Sequence, residues 1–139
     1  MNVEAKMEGG CLCGAIRYSV SGPPFAAEYC HCRMCQKSAG AVVVNWMDYR
    51  AEQVTWTAGS PAEYESSDSV RRGFCANCGS TLSFRDTGYP EYMTLSIASL
   101  DDPNLVEPSS HIYTESQVKW LNIDDDCKRS LKGPVKTSD

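Results

Sequence analysis

Ile16, Tyr18 and Val20 alternate with Arg17 and Ser19, the period-two pattern of a strand with one buried face. Gly22-Pro23-Pro24 ends that strand, which on this reading is the first of the chain and follows a pair of cysteines. Further β-rich runs lie at Ala41–Trp46, Gln53–Thr57 and Tyr92–Ile97, with Gly and Pro between them. Thr81-Leu82-Ser83-Phe84 and the Tyr92 run flank Asp86-Thr87-Gly88-Tyr89-Pro90, whose turn formers predict a hairpin. Helix signals are few. Arg33–Ser38 predicts one or two turns, and Glu115–Trp120 a short helix. The pattern is that of a mainly β protein with short helices.

With 139 residues, 42% of them hydrophobic, the chain has room for one modest core. We expect one domain over residues 1–126 and a polar, disordered tail over 127–139, where Lys128 and Arg129 precede Gly133-Pro134. A net charge of −5 argues against a nucleic-acid surface, because phosphate binding needs clustered Lys and Arg. Arg71-Arg72 and Lys128-Arg129 read as solvated surface charge. No apolar stretch approaches the ~20 residues needed to cross a bilayer. Nor does Met1–Lys6 carry the apolar run of a secretory leader. The expectation is therefore a cytoplasmic protein with reduced cysteines and no membrane partner. Oligomeric state leaves no pattern in the sequence.

The eight cysteines carry the chemistry. Phe74-Cys75-Ala76-Asn77-Cys78-Gly79 is a C-x-x-C-G knuckle that aims two sulfurs at one ion, with Gly79 suited to a turn at positive φ. Gly10-Cys11-Leu12-Cys13-Gly14 adds a C-x-C pair, whose side chains share a face if the segment is extended. Together Cys11, Cys13, Cys75 and Cys78 close a tetrahedral zinc site. Cys30-His31-Cys32-Arg33-Met34-Cys35 then offers Cys30, Cys32 and Cys35, one ligand short of a closed shell. Three protein ligands and a vacant position characterise catalytic zinc. His31 would complete the shell, but on an extended backbone it points away from the face of Cys30 and Cys32. Spacing also permits Cys32 and Cys35 to pair with Cys75 and Cys78 in a ribbon-like site, although an insert of about 40 residues exceeds the usual ~15–20. A metal-free redox cluster is a further reading. Cys127, beside Asp124-Asp125-Asp126, stands outside these patterns and reads as a free surface thiol kept unreactive by its acidic neighbours.

The segments Gly10–Tyr18, Cys30–Lys37 and Phe74–Ser80, with the closing stretch from His111 to Trp120, resemble the glutathione-dependent formaldehyde-activating enzyme family, also named after centromere protein V. The resemblance spans nearly the whole chain. It implies a β-tent fold of folded-over antiparallel sheets and two zinc ions per chain. Cys11, Cys13, Cys75 and Cys78 would hold the structural zinc, and Cys30, Cys32 and Cys35 the catalytic one. It also implies a carbon–sulfur lyase that reversibly joins formaldehyde to glutathione as S-hydroxymethylglutathione. Lys37, Arg33 or Arg71 would meet the carboxylates of such a thiol, and Trp46 and Trp56 would line the pocket or serve the core. No side chain declares itself a general base. The competing reading is a non-catalytic zinc module for protein interaction, and a weaker one a redox or zinc-buffering protein.

Overall fold

The structure, a computed structural model, describes residues 6–134. The described chain runs β1 (Lys6–Gly10), β2 (Arg17–Ser21), β3 (Ala26–Cys30), α1 (Arg33–Ala39), β4 (Val44–Arg50), β5 (Val54–Ala58), β6 (Ala62–Glu65), β7 (Val70–Phe74), β8 (Thr81–Asp86), β9 (Tyr92–Ser96), β10 (Ser110–Ile112) and β11 (Lys128–Arg129). Two sheets result, a three-stranded one in the order β1-β2-β5 and an eight-stranded one in the order β11-β10-β3-β4-β9-β8-β7-β6. Pairing is antiparallel except at one edge of the large sheet, where β10 runs parallel to both β3 and β11. The mainly β architecture expected of the sequence is thus observed, with a parallel edge in place of uniformly antiparallel pairing.

The alternating run around Tyr18 is β2, and Tyr18 and Val20 are fully buried. It is the second strand, not the first. β1 precedes the cysteine pair, and its Glu8-Gly9-Gly10 carries too little apolar patterning to announce itself. Gly9 is required where it stands. A Cβ there would sit 2.5 Å from both the Tyr18 hydroxyl and the Ser99 carbonyl oxygen, at the point where Gly9 bridges Leu100.

Each face of the large sheet has its own task. Ala27, Met47 and Leu95 pair across β3, β4 and β9 on one face, and with Tyr18, Val20, Tyr49 and Ile97 they form the main core. The opposite face is read through another line of register partners. Glu28 pairs with Trp46, Asp48 with Thr94, Thr94 with Phe84 and Phe84 with Arg72. Paired residues share a face, so five strands place these side chains on one surface, and that surface is concave and open.

α1 follows β3 directly. Cys32 is its N-cap, accepting from the Cys35 N–H, and Gly40 ends it in the left-handed region at φ 68. The helix buries Cys35 and Gln36. Gln36 Nε2 donates to the His31 carbonyl at 2.9 Å and the Val42 carbonyl at 3.0 Å, which ties the helix to both flanking segments.

Two expectations near the C-terminus are corrected. Glu115–Trp120 is not a helix, since one 3-10 turn over Thr114–Ser116 is followed by irregular chain with Trp120 exposed. Without a buried face, a segment this short has nothing to offset its nucleation cost. The expected disordered tail from residue 127 is likewise partly a strand. Lys128 and Arg129 pair with Ser110 and His111, and the Tyr113 N–H donates to the Lys132 carbonyl at 2.7 Å. Residues 135–139 lie outside the described residues.

Candidate metal centres and active site

The structure brings together seven of the eight cysteines as two groups. Cys11, Cys13, Cys75 and Cys78 have sulfurs within 4.8 Å of one another, as do Cys30, Cys32 and Cys35. The ribbon-like pairing of Cys32 and Cys35 with the 75–78 knuckle does not occur.

In the first group, Cys75 to Cys78 forms the tight turn expected of a knuckle. The Gly79 N–H donates to the Cys75 carbonyl at 2.7 Å, with Gly79 at φ 82. The Cys78 N–H points at Cys75 Sγ at 3.4 Å. Cys11 and Cys13 were expected on an extended segment, but they sit in a turn closed by the Gly14 N–H on the Cys11 carbonyl at 3.1 Å. The turn serves the same end, because the Ile16 N–H reaches Cys11 Sγ at 3.2 Å and Asn77 Nδ2 reaches Cys13 Sγ at 3.2 Å. Ser80 ties the halves, donating or accepting at Cys78 Sγ at 3.2 Å and accepting the Leu12 N–H at 2.9 Å. That hydroxyl, with the Ser80 and Cys13 backbone amides, brings the Cys78 thiol down to about 5. Cys11 and Cys75 pack with Ile16 and Leu82 in a small core of their own.

The second group sits where β3 meets α1. Cys30 ends the strand, Cys32 caps the helix and Cys35 lies one turn on, with Cys30 and Cys35 Sγ 3.5 Å apart. The Cys30 and Cys35 thiols, the Cys35 N–H and the charge of Arg72 together hold the Cys32 thiol far below its ordinary range, against the opposing effect of burial. His31 turns the other way. Its Nε2 lies 2.9 Å from His111 Nδ1, and His111 Nε2 lies 2.9 Å from Asp125 Oδ2. Both rings are fully buried. His31 is therefore no member of the sulfur cluster but the anchor of its backbone.

Both donor sets fit zinc. They are all sulfur, the soft donor that this ion and few competitors accept in tetrahedral sites. The sulfur separations of 3.6 and 3.8 Å in the first group and 3.5 Å in the second match the edge of about 3.8 Å that a tetrahedron with Zn–S near 2.3 Å requires. Amide N–H groups already aim at the Cys11 and Cys32 sulfurs, which helps hold those thiols below the ordinary range. At Cys75 the Cys78 N–H is outweighed by burial and the neighbouring thiols, which raise it.

The second group opens into a cavity of about 550 Å³ whose floor is the concave face of the large sheet. Trp46, Phe84, Val70 and Ile112 give it apolar walls, Met34 and Arg33 stand on its helix side, and Glu28, Asp48, Thr94 and Arg72 bring polar groups to it. Arg72 is the group that sequence reading missed, since it stood beside Arg71 as apparent surface charge. Strand parity would have separated them. Arg72 is buried, with Nη1 3.4 Å from Cys35 Sγ, Nε 3.1 Å from Ser66 Oγ and its guanidinium 5.1 Å from the centre of the Phe84 ring. Arg71 instead turns its guanidinium to the carbonyls of Ser67 and Asp68. Neither Arg71 nor Lys37 lines the cavity, and Arg33 donates to Gln36 Oε1 at 2.6 Å. Trp46 both lines the cavity and is buried, whereas Trp56 packs edge-on against Tyr18 in the core.

Glu28 and Asp48 were also missed. They are diagonal neighbours on the cavity face, and Glu28 is only 6% exposed. Burial, and then the neighbouring Asp48 carboxylate, push the Glu28 carboxyl up to about 9, and burial raises Asp48 as well. Tyr113, also on the cavity wall, holds a left-handed backbone at φ 57, a conformation that costs a non-glycine residue about 1 kcal/mol. Cys127 is half-buried, not a bare surface thiol, and burial and Asp125 raise its thiol above the ordinary range.

Comparison with known proteins finds relatives over most of the chain. Over 128 residues the chain is 30% identical to a Halomonas elongata protein provisionally named as a glutathione-dependent formaldehyde-activating enzyme, covering 85% of this chain and 81% of that one. It is 31% identical over 80 residues, 58% of each chain, to an uncharacterized lyase of Schizosaccharomyces pombe. A solved structure of a Rhodobacter sphaeroides protein shares the fold, with a TM-score of 0.59 at 22% identity over 73% of this chain and 97% of that one. No helix of the described residues is long and apolar enough to cross a membrane. The family described as glutathione-dependent formaldehyde-activating enzyme matches residues 6–116, the span that carries both sulfur clusters and all of the cavity's lining except Pro134, and the chain belongs to that family.

Proposed function

We propose that the protein is a zinc-dependent carbon–sulfur lyase, acting on a thiol adduct of formaldehyde or a related small electrophile in the manner of an S-hydroxymethylglutathione synthase. One observation carries the reading. Cys30, Cys32 and Cys35 form part of the cavity wall, while none of Cys11, Cys13, Cys75 and Cys78 does. The four-sulfur set would hold a structural zinc, and the three-sulfur set a second zinc with one position toward the cavity. When bound there, zinc supplies a Lewis acid that acidifies an incoming thiol and polarises a carbonyl.

The chain's own residues supply the rest. Arg72 offsets the negative charge of the three thiolates through its contact with Cys35 Sγ. Trp46, Phe84, Val70 and Ile112 give the reacting groups an apolar surround, in which such charge interactions are stronger than in water. In the forward direction the thiol sulfur bonds to the aldehyde carbon, the carbonyl π pair moves to oxygen, and that oxygen ends with the proton the thiol lost. The reverse reaction returns both. The substrates are a small thiol, glutathione being the family's type substrate, and a small aldehyde. A reducing compartment such as the cytoplasm suits eight free cysteines.

Exchange NMR with ¹³C-formaldehyde and glutathione tests this. The zinc-loaded protein should accelerate exchange between free formaldehyde and its thiol adduct, and Cys35→Ser should abolish the acceleration. Exchange at the protein-free rate with glutathione and with other small thiols would overturn it, in favour of a non-catalytic zinc module.

A further inference from the structure

The two arginines that line the cavity already have partners. Arg72 is engaged with Cys35 Sγ, Ser66 Oγ and the Phe84 ring, and Arg33 is held by Gln36 at the helix. Lys37 and Arg71 do not line the cavity. Beside Arg72, the floor carries two carboxyl groups, Glu28 and Asp48. Asp48 accepts from the Thr94 hydroxyl at 2.7 Å. Glu28, on the β3–β4 diagonal from Asp48, meets the Asp48 carboxyl, so that the two acids share a proton. A pair of acids held together on a cavity wall keeps oxygen lone pairs that a ligand's N–H can meet.

We infer that the Glu28–Asp48 pair is the specificity determinant of this cavity, receiving an ammonium or N–H group of the thiol substrate, so that amine-bearing thiols are selected over thiols carrying only carboxylates. This rests on the reading of the three-cysteine cavity as a thiol site. Glu28 and Cys30 stand two residues apart on one face of β3, hence about 7 Å apart along the strand. That spacing suits a two-carbon link between sulfur and nitrogen followed by one hydrogen bond. A substrate carboxylate at the same depth would face two carboxyls and the thiolates, an arrangement that like-charge repulsion disfavours. Glutathione carries both groups. In it the nitrogen two carbons from sulfur is the cysteinyl amide, whose N–H would meet the pair, its two carboxylates lying farther along the molecule toward solvent.

Calorimetric titration of the zinc-loaded full chain with cysteamine, 2-mercaptoethanol and 3-mercaptopropionate tests this, because the three place an ammonium, a hydroxyl and a carboxylate on the same two-carbon thiol. Cysteamine should bind more tightly than 3-mercaptopropionate by about tenfold or more, the worth of one charge-assisted hydrogen bond. Since the thiols differ in their own acidity, the deciding quantity is the cysteamine to 2-mercaptoethanol affinity ratio. Glu28→Gln and Asp48→Asn should each lower it several-fold. A ratio unchanged in both variants, or tighter binding of 3-mercaptopropionate by the wild-type chain, overturns the inference and leaves the thiol site standing. Failure of every thiol to bind overturns both.

Discussion

Arg72 Nη1 lies 3.4 Å from Cys35 Sγ, so a cation on β7 reaches across the cavity face to a sulfur on α1. Helix and sheet are thereby joined at the three-cysteine cluster by a charge-assisted contact. Such contacts contribute roughly 1.5–3 kcal/mol, more than neutral ones. Arg72→Gln keeps a donor of shorter reach and removes the charge. It should release one of two zinc ions to a chromogenic chelator at least about tenfold faster than wild type, the second ion leaving at the wild-type rate. Equal acceleration of both would mean that Arg72 stabilises the domain and not this cluster.

The two clusters should also differ in what their loss does to the fold. Cys11 and Cys75 are buried among Ile16 and Leu82 and join β1 to the β7–β8 turn, so the four-sulfur site closes the domain. Cys35 sits on a short helix at the cavity. Cys35→Ser should lower bound zinc from two ions to one and retain the wild-type circular dichroism spectrum. Cys78→Ser should unfold the chain or lower its thermal midpoint sharply, since metal binding to such a site is itself folding free energy. Equal unfolding in the two variants would contradict the division into structural and open sites.

What the sequence disclosed follows one physical rule. β2 was legible because its polar and apolar residues alternate with solvent and core, Tyr18 and Val20 inward. β3 and β7 were not, because each buries a charged residue on the cavity face. Glu28 lies inside in Ala26–Cys30, and Arg72 in Val70–Phe74, which breaks the alternation where function needs it. The knuckle at Cys75–Cys78 is local chemistry and could be read directly. The acid pair, the Arg72 contact and the His31–His111–Asp125 chain are made by strand register between segments distant in sequence, and no local signal carries register.

Gly9→Ala tests the joint between the sheets. The added methyl would meet the Tyr18 hydroxyl and the Ser99 carbonyl oxygen at 2.5 Å, and Tyr18 cannot withdraw because it is fully buried and bonded to Ser99 Oγ at 2.6 Å. Overpacking of this kind costs about 1–3 kcal/mol. A thermal midpoint several degrees lower is expected, with zinc stoichiometry unchanged. An unchanged midpoint would show that β1 yields at this position.

The buried His31–His111–Asp125 chain predicts an acid-dependent contribution to stability. Asp125 accepts from His111 and from the Cys127 N–H, with Arg129 Nη1 3.1 Å away. These partners, His111 first, hold its carboxyl well below the usual carboxylate range. The sign follows from linkage. A carboxylate depressed in the folded state contributes stability that is fully present above its unfolded value, near 4, and is lost as pH falls through the folded value. Asp125→Asn should therefore be less stable than wild type at pH 6, and the gap should narrow steadily as pH falls below about 4. Urea unfolding midpoints of both proteins across that range provide the measurement. The gap between them, not either midpoint alone, isolates Asp125 from the protonation of the cysteines. A gap constant with pH would show that Asp125 acts here by packing and not by its charge.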